Sequence, residues 1–560
     1  MMDRKTILIV LVCMLALIGS QWVINKIYPP VPKKPKLIPQ IEVTNAPESV
    51  ATNVAPEVKP APLTALPSPK EERPPEQIVA LSNSLVRVEF TSWGGGIRSV
   101  ELLRHRANGH GYALLNGPDV TPALALVGVP GASTNDEFEI HQTDARTVVM
   151  RSATGVTKTL SLSNDYVMAG NISLPKELAA TETDLFVVIG SATPVQPKES
   201  PVYLAVDWQN APQFFSRDLS RVTSRAKKGL NQEPIHAAWV AVKSQYFTMI
   251  FSPATNAIRV SYAPVDLPPL PEMAGSTTPL HGVTATAEVP LAKPADGDGT
   301  CTFTFYAGPK DYDRLVALGQ NQEEVMGLGS WMDGYTGIFG VALLKSMMFF
   351  YRLVPNFGVA IILVTIAIKI IFWPIQARSI KSMKEMQKFQ PLVQKLKEKY
   401  KDDPQRLNQE TMKLYREHKI NPFSGCLPMI VQLPVLIGFY KVLVCDIALR
   451  GASFLWIKDL SQPDTVLAIA GFPINPLPLV MVGTQIWQQK ITPTSGDPQQ
   501  ARMMMFMPLI MLFFFYKAAS GLVLYWTLQQ LLSIAQQWWS LYHEKKTGPS
   551  AAPLVTGKVK

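Results

Sequence analysis

The sequence predicts an α-helical membrane bundle of six spans, joined to an antiparallel β-sandwich outside the membrane and to a helical hairpin on the cytoplasmic side. Three observations predict it. Residues 357–375, FGVAIILVTIAIKIIFWPI, are apolar apart from Lys369, and their 19 positions make about 28 Å of helix, close to the ~30 Å of a bilayer's hydrocarbon. Between 78 and 308, short stretches alternate apolar and polar residues and are separated by Gly-, Pro- and Asn-containing turns. Residues 378–419 carry 12 Lys/Arg against 6 Asp/Glu on a helical apolar period. The hydrophobic fraction of 47%, the mean hydropathy of +0.10 and the length of 560 residues agree with a multidomain integral membrane protein. The net charge of +10 suits anionic lipid or RNA, and its distribution says more than its sum.

Taken in order, residues 6–24 form an apolar run after Arg4 and Lys5 without an A-x-A-like site behind it. That predicts an uncleaved anchor within 1–28. Cys13 follows bulky Val12, where a lipoprotein signal carries a small residue. Cys13, Cys301, Cys426 and Cys445 suggest neither a disulfide framework nor a metal site. Residues 29–76 read as an extended spacer, with 13 prolines between 29 and 75.

The β-domain is placed at 77–330, with strands expected at LVRVEF (85–90), TKTLSLS (157–163) and CTFTFYAG (301–308). Gly94, Gly95 and Gly96 read as a turn between strands, because no helix follows to make them a phosphate loop. Within 331–355, residues 336–354 are long enough to span. Lys345 and Arg352 nevertheless share a face, which predicts an amphipathic helix lying in the interface plane.

The membrane core is placed at 356–542. It includes a hairpin at 378–420, in which Met383, Met386, Phe389, Val393, Leu396 and Tyr400 make one apolar seam. Asp403 and Pro404 are the expected cap and first residue of the hairpin's second helix. Four apolar runs follow at 427–444, 472–487, 503–516 and 522–539. The middle two are short enough to require local thinning, and Pro428, Pro434, Pro476 and Pro508 add kinks. Residues 543–560 form a basic tail. The hairpin's excess of positive charge puts it in the cytoplasm, and an even span count brings both termini there too. Lys26, Lys33, Lys34 and Lys36, just after the first run, oppose this orientation with a smaller excess.

Polar residues inside the spans carry the functional signal. Lys369 has Thr365 one turn away, Gln432 lies in the third span, and Gln529, Gln530, Ser533, Gln536 and Gln537 form a stripe in the last span, continued by Trp526. Such groups either hold the bundle together at roughly 0.6 kcal/mol a pair or line a wet cavity holding one cation. The residues alone leave both open. No zinc-protease, phosphate-loop or nucleophile-elbow pattern is present, so an enzyme or ATP-driven pump is not indicated. No internal repeat suggests a secondary transporter.

Over about 356–539 the chain resembles the YidC membrane insertases of Gram-negative type. The resemblance is carried by NPFSGCLPMIVQLPV (421–435), FLWIKDLS (454–461), FMP (506–508) and SGLVLYW (520–526). AAWVAVKSQYF (237–247) resembles a segment of that family's periplasmic domain. The resemblance implies a bacterial inner-membrane protein with a five-helix core and a periplasmic β-sandwich. Such a protein inserts and helps fold nascent membrane proteins, alone or with the Sec translocon, without a cofactor or metal. It also implies a hydrophilic groove whose cation is Lys369, where many relatives have arginine. The charge is kept and the bidentate fork is lost. Thr365, Gln432, Tyr525 and Trp526 match groove positions, Trp526 standing where some relatives have tyrosine. The hairpin and tail are implied to meet substrate, membrane lipids and the ribosome, although this tail is only modestly basic. A transporter using the same charged cavity and an envelope scaffold acting through the β-domain are the competing readings.

Overall fold

The computed structural model describes residues 75–107, 111–195, 199–211, 213–268, 280–293, 297–328, 335–401, 403–418, 427–469, 472–491 and 498–547. The expected anchor at 6–24, the proline-rich spacer, the 421–425 turn and most of the tail lie outside them. The chain divides into two compact units, with the boundary between Met326 and Gly327.

The first unit is built from three antiparallel sheets. A nine-stranded sheet runs from the edge strand Gln213–Asp218 through Gly299–Pro309 and Val167–Leu174 to the far edge Phe138–Asp144. A five-stranded sheet packs across it: Asp184–Ala192 lies over Val240–Lys243 and Phe247–Pro253. A four-stranded meander begins at Ile78–Ser82. The strands follow from alternation. Thr157–Leu162 buries every second residue, and so does Val167–Leu174 beside it. The packed faces enclose Trp208, Tyr262, Phe251 and Phe305. Within the nine-stranded sheet Gly170 makes room for its cross-strand partner, since a Cβ there would stand 2.3 Å from the Phe303 ring.

The Gly94–Gly95 turn connects two strands, at φ +72° and +52°, and it encloses an unexpected charge. Lys158 is 1% exposed, and its ammonium donates to the carbonyls of Gly94 (3.0 Å), Gly95 (2.7 Å) and Leu124 (3.0 Å) over the face of Phe138. Burial pushes its pKa down to about 7, while the carbonyls and the ring favour the charged form. Between pH 7 and the ordinary lysine range, the unfolded chain therefore binds more protons than the folded one, and stability rises with pH. Lys158→Met leaves three carbonyls without their donor. Hydrogen exchange at the Gly94–Ile97 and Leu124–Leu126 amides should quicken by about tenfold or more. Thermal unfolding of the parent should gain stability from pH 7 to 9 relative to that variant. Equal exchange in the two proteins would refute the staple.

The second unit is helical: α1 (Tyr335–Leu353), α2 (Phe357–Lys388), α3 (Gln390–Lys399), α4 (Pro404–Glu417), α5 (Leu427–Cys445), α6 (Pro476–Ile491), α7 (Pro498–Phe515) and α8 (Ser520–Thr547). Among the described residues, α2 alone is long and apolar enough to cross a membrane by itself. Gln432–Cys445 and Met505–Phe515 are shorter apolar helical segments. Helix α8 lies between α2, α5 and α6, and α7 leans on α6.

Helix α1 buries Phe339, Ala342, Leu343, Leu344 and Met347, packing against α5 and α2. At its crossing with α5, a Cβ on Gly438 would meet the α1 backbone at 3.3 Å, so small residues set the approach. The 383–400 seam is not one helix. Pro391 cannot donate to the Gln387 carbonyl, and α2 ends at Lys388 before α3 begins. Asp403 caps α4 by accepting from the Arg406 amide at 3.0 Å, with Pro404 in the first turn. The apolar run at 472–487 divides in the same way: Phe472–Ile474 is a strand paired with Leu467–Ile469, and α6 starts at Pro476.

Candidate functional site

One end of the helical unit is tied shut. Asn356 caps α2 by accepting from the Val359 amide (3.1 Å) and donates to the Ser453 carbonyl (3.5 Å). Ser520, at the start of α8, donates through its hydroxyl to the Asp459 carbonyl (3.1 Å), and its amide donates to the Gln462 carbonyl (2.8 Å). Asn475 donates to the Tyr516 carbonyl (2.6 Å), and Asp464 accepts from the Leu477 amide (2.7 Å) at the start of α6. The α1–α2 turn, the α5–α6 loop and the α7–α8 turn thus form one hydrogen-bonded cap.

Beneath the cap a line of polar groups runs along α8. Tyr525, Gln529 and Ser533 recur every four residues and therefore share a face, about 8, 14 and 20 Å from the helix start. Gln432 of α5 donates to the Tyr525 hydroxyl, and its own carbonyl oxygen accepts from Gln529 Nε2 at 3.1 Å. Lys369, about 18 Å into α2, donates from Nζ to Ser533 Oγ at 2.8 Å. Ser533 in turn donates to the Gln529 carbonyl at 2.8 Å. Lys369 is 3% exposed, and no carboxylate among the described residues pairs with it. Gln529 Oε1 and Gln536 Oε1 are buried with no hydrogen-bond partner among the described residues. Tyr525 is fully buried and stacks on Phe439 with centroids 4.2 Å apart.

Of the five residues singled out from the sequence, three join this network: Lys369, Gln432 and Tyr525. Thr365 is buried one turn from Lys369, but its hydroxyl donates to its own helix at the Ile361 carbonyl, 2.6 Å away. The Trp526 ring lies 5.6 Å from that of Phe515 on α7. Ser533 joins the network as well, and its four-residue spacing from Gln529 is the sequence signal that marks this face. A second polar contact, Thr484 Oγ1 to Gln530 Oε1 at 2.5 Å, joins α6 to the adjoining side of α8.

Comparison with known proteins finds similarity over most of the chain. Residues 78–337 match the family described as the YidC periplasmic domain, and 349–547 match that described as 60Kd inner membrane protein. A membrane protein insertase YidC of Syntrophus aciditrophicus is 31% identical over 582 residues, covering 96% of this chain and 99% of its own length. The chain belongs to the YidC insertase family. Another YidC, from Nitratidesulfovibrio vulgaris strain DP4, is 33% identical over 537 residues, covering 90% of this chain and 94% of its own. The YidC of Pelobacter propionicus reaches 45% over 242 residues, 42% of this chain and 44% of its own. The matched families place a YidC periplasmic domain in the β unit and the inner-membrane region in the helical unit.

The geometry of this YidC-family site predicts which residues act together. A double-mutant cycle between Gln432→Met and Tyr525→Phe, read as unfolding free energy in detergent, should give a coupling of about 1 kcal/mol. The same cycle with Trp526→Phe in place of Tyr525→Phe should give none. Equal couplings would dissolve the distinction drawn here.

Proposed function

We propose that the chain is a membrane protein insertase and chaperone of the bacterial inner membrane, and that the polar line below the cap receives the segment being transferred. The observation that carries this reading is the Lys369 ammonium, buried in the long apolar helix α2 and met by the Ser533 hydroxyl instead of a carboxylate among the described residues. A charge placed inside a span costs at least about 2.5 kcal/mol and persists where a function holds it. An acidic side chain of a nascent chain leaves water at lower cost when a cation meets it, and the unfilled amide oxygens accept from the N–H groups of a polar stretch. The cap blocks one end of this line, so the segment enters from the other, where Lys384 reaches Ser540 at 3.3 Å. Side release into lipid is favoured along α7, whose Met505, Phe506, Leu509, Phe513 and Phe514 are exposed.

The wider reading has six spans, with the first at 6–24, both termini and the 378–420 hairpin in the cytoplasm, and the β-domain in the periplasm. Residues 29–76 are the spacer, 331–355 the interfacial helix and 543–560 the basic tail. The hairpin and tail meet arriving substrate, the ribosome and anionic lipid, and the Sec translocon is a partner for clients that need it. Thr365 and Trp526 act as walls of the groove.

Lys369→Ala should slow insertion of single-span clients with acidic outer segments by about tenfold or more, and Lys369→Arg should keep it. The check is protease protection of such clients in proteoliposomes. Unimpaired insertion by the alanine variant at normal expression would remove the cation from the mechanism.

A further inference from the structure

Two apolar projections at the capped end take no part in the polar line. The first is the turn Phe454–Ile457, closed by reciprocal backbone hydrogen bonds of 2.9 Å. Its base is anchored: Ile457 is 2% exposed, and Phe454 fills the space where a Cβ on Gly358 would lie, 2.1 Å away. Its tip is the opposite. Leu455 is 75% exposed at φ +52°, a backbone region that costs a leucine roughly 1–2 kcal/mol, and Trp456 beside it is 47% exposed.

The second projection is the hairpin of Leu467–Ile469 with Phe472–Ile474. All three residues of its first strand are exposed, and Val466, Ile469 and Phe472 are each more than half exposed. No charged residue occurs from Thr465 to Gln489. One carboxylate holds both projections to α6: Asp464 Oδ2 accepts from Trp456 Nε1 (3.2 Å) and from the Leu477 amide (2.7 Å).

Water is a poor solvent for these surfaces, since an isolated two-stranded hairpin is marginal there and open apolar edges aggregate. Hydrocarbon is also excluded, because the unpaired strand edges would lose their hydrogen bonds. The headgroup layer meets both demands. We propose that the Leu455–Trp456 tip and the Val466–Ile474 hairpin are seated in the headgroup layer of the bilayer, as a lipid-contacting rim at the capped end. The patch is continuous with the exposed flanks of α6 (Leu479, Val480) and α7 (Phe513, Phe514), and the Phe472 and Tyr516 rings join them 5.5 Å apart. Lys458 and Lys517, both exposed, stand beside it for lipid phosphates. Indole at this depth fits an aromatic belt.

This proposal rests on the membrane reading above, and its test separates the two. Full-length protein carries Leu455→Cys, Leu467→Cys, Phe513→Cys or Asn408→Cys, labelled with bimane, with Cys13, Cys426 and Cys445 changed to serine and buried Cys301 left. The probe is placed in nanodiscs of phosphatidylethanolamine and phosphatidylglycerol. At 455 and 467, emission should be lost to nitroxide on the headgroup or upper acyl chain and be protected from iodide, as at 513. The Asn408 probe should be quenched by iodide alone. Iodide quenching at 455 and 467 with lipid quenching at 513 overturns the rim alone. Protection from both quenchers means that protein covers the patch and overturns it too. Iodide quenching at 513 as well sinks the membrane reading itself.

Discussion

The hydrogen bond from Lys369 to Ser533 is the contact on which the helical unit depends. An ammonium 3% exposed inside an apolar helix is tolerable only if its protons are met, and a hydroxyl meets one of them without neutralising the charge. A carboxylate there would neutralise the charge as a buried ion pair. The hydroxyl leaves the field of the cation open, and Ser533 donates its own hydrogen bond to the Gln529 carbonyl. The polar side chains above it then follow in order, through Gln529 and Gln432 to Tyr525 under the cap.

The β unit handles a buried lysine differently. Lys158 gives its three protons to three carbonyls and sets its charge against an aromatic face, so nothing about it is left to bind. One lysine is saturated and holds two loops to a sheet. The other is only partly met and stands in a line that still has unfilled amide oxygens. That contrast is why burial alone assigns no role, and why the inventory of partners does. The cap at one end of the bundle is closed without a charged pair, by hydrogen bonds from Asn356, Asn475 and Ser520.

Alternation makes the strands legible in the sequence, and the expected 85–90, 157–163 and 301–308 stretches coincide closely with observed strands. The Asp403–Pro404 start of α4 is readable for the same local reason: the cap and the first turn need only neighbouring residues. Proline hides the rest. Pro391 breaks a seam whose apolar period is continuous, and Pro476 starts a helix where the hydrophobic run leaves its strand. At the site, the i, i+4 stripe of α8 is visible from spacing, whereas the pairing of Lys369 with Ser533 joins residues 164 apart and needs the tertiary packing. Thr365 and Trp526 match a family pattern by position, yet one hydroxyl turns to its own backbone and one ring turns to α7.

The central claim is that a client segment passes along the line from Ser533 to Tyr525. Photo-crosslinking of stalled nascent membrane proteins, with the probe placed in turn at Ser533, Gln432 and the exposed Phe513, tests it most directly. The account predicts adducts at Ser533 and Gln432 from clients whose polar outer segment has not yet crossed, with adducts at Phe513 only once the apolar segment emerges. Early adducts at Phe513 with none at Ser533 or Gln432 would contradict it.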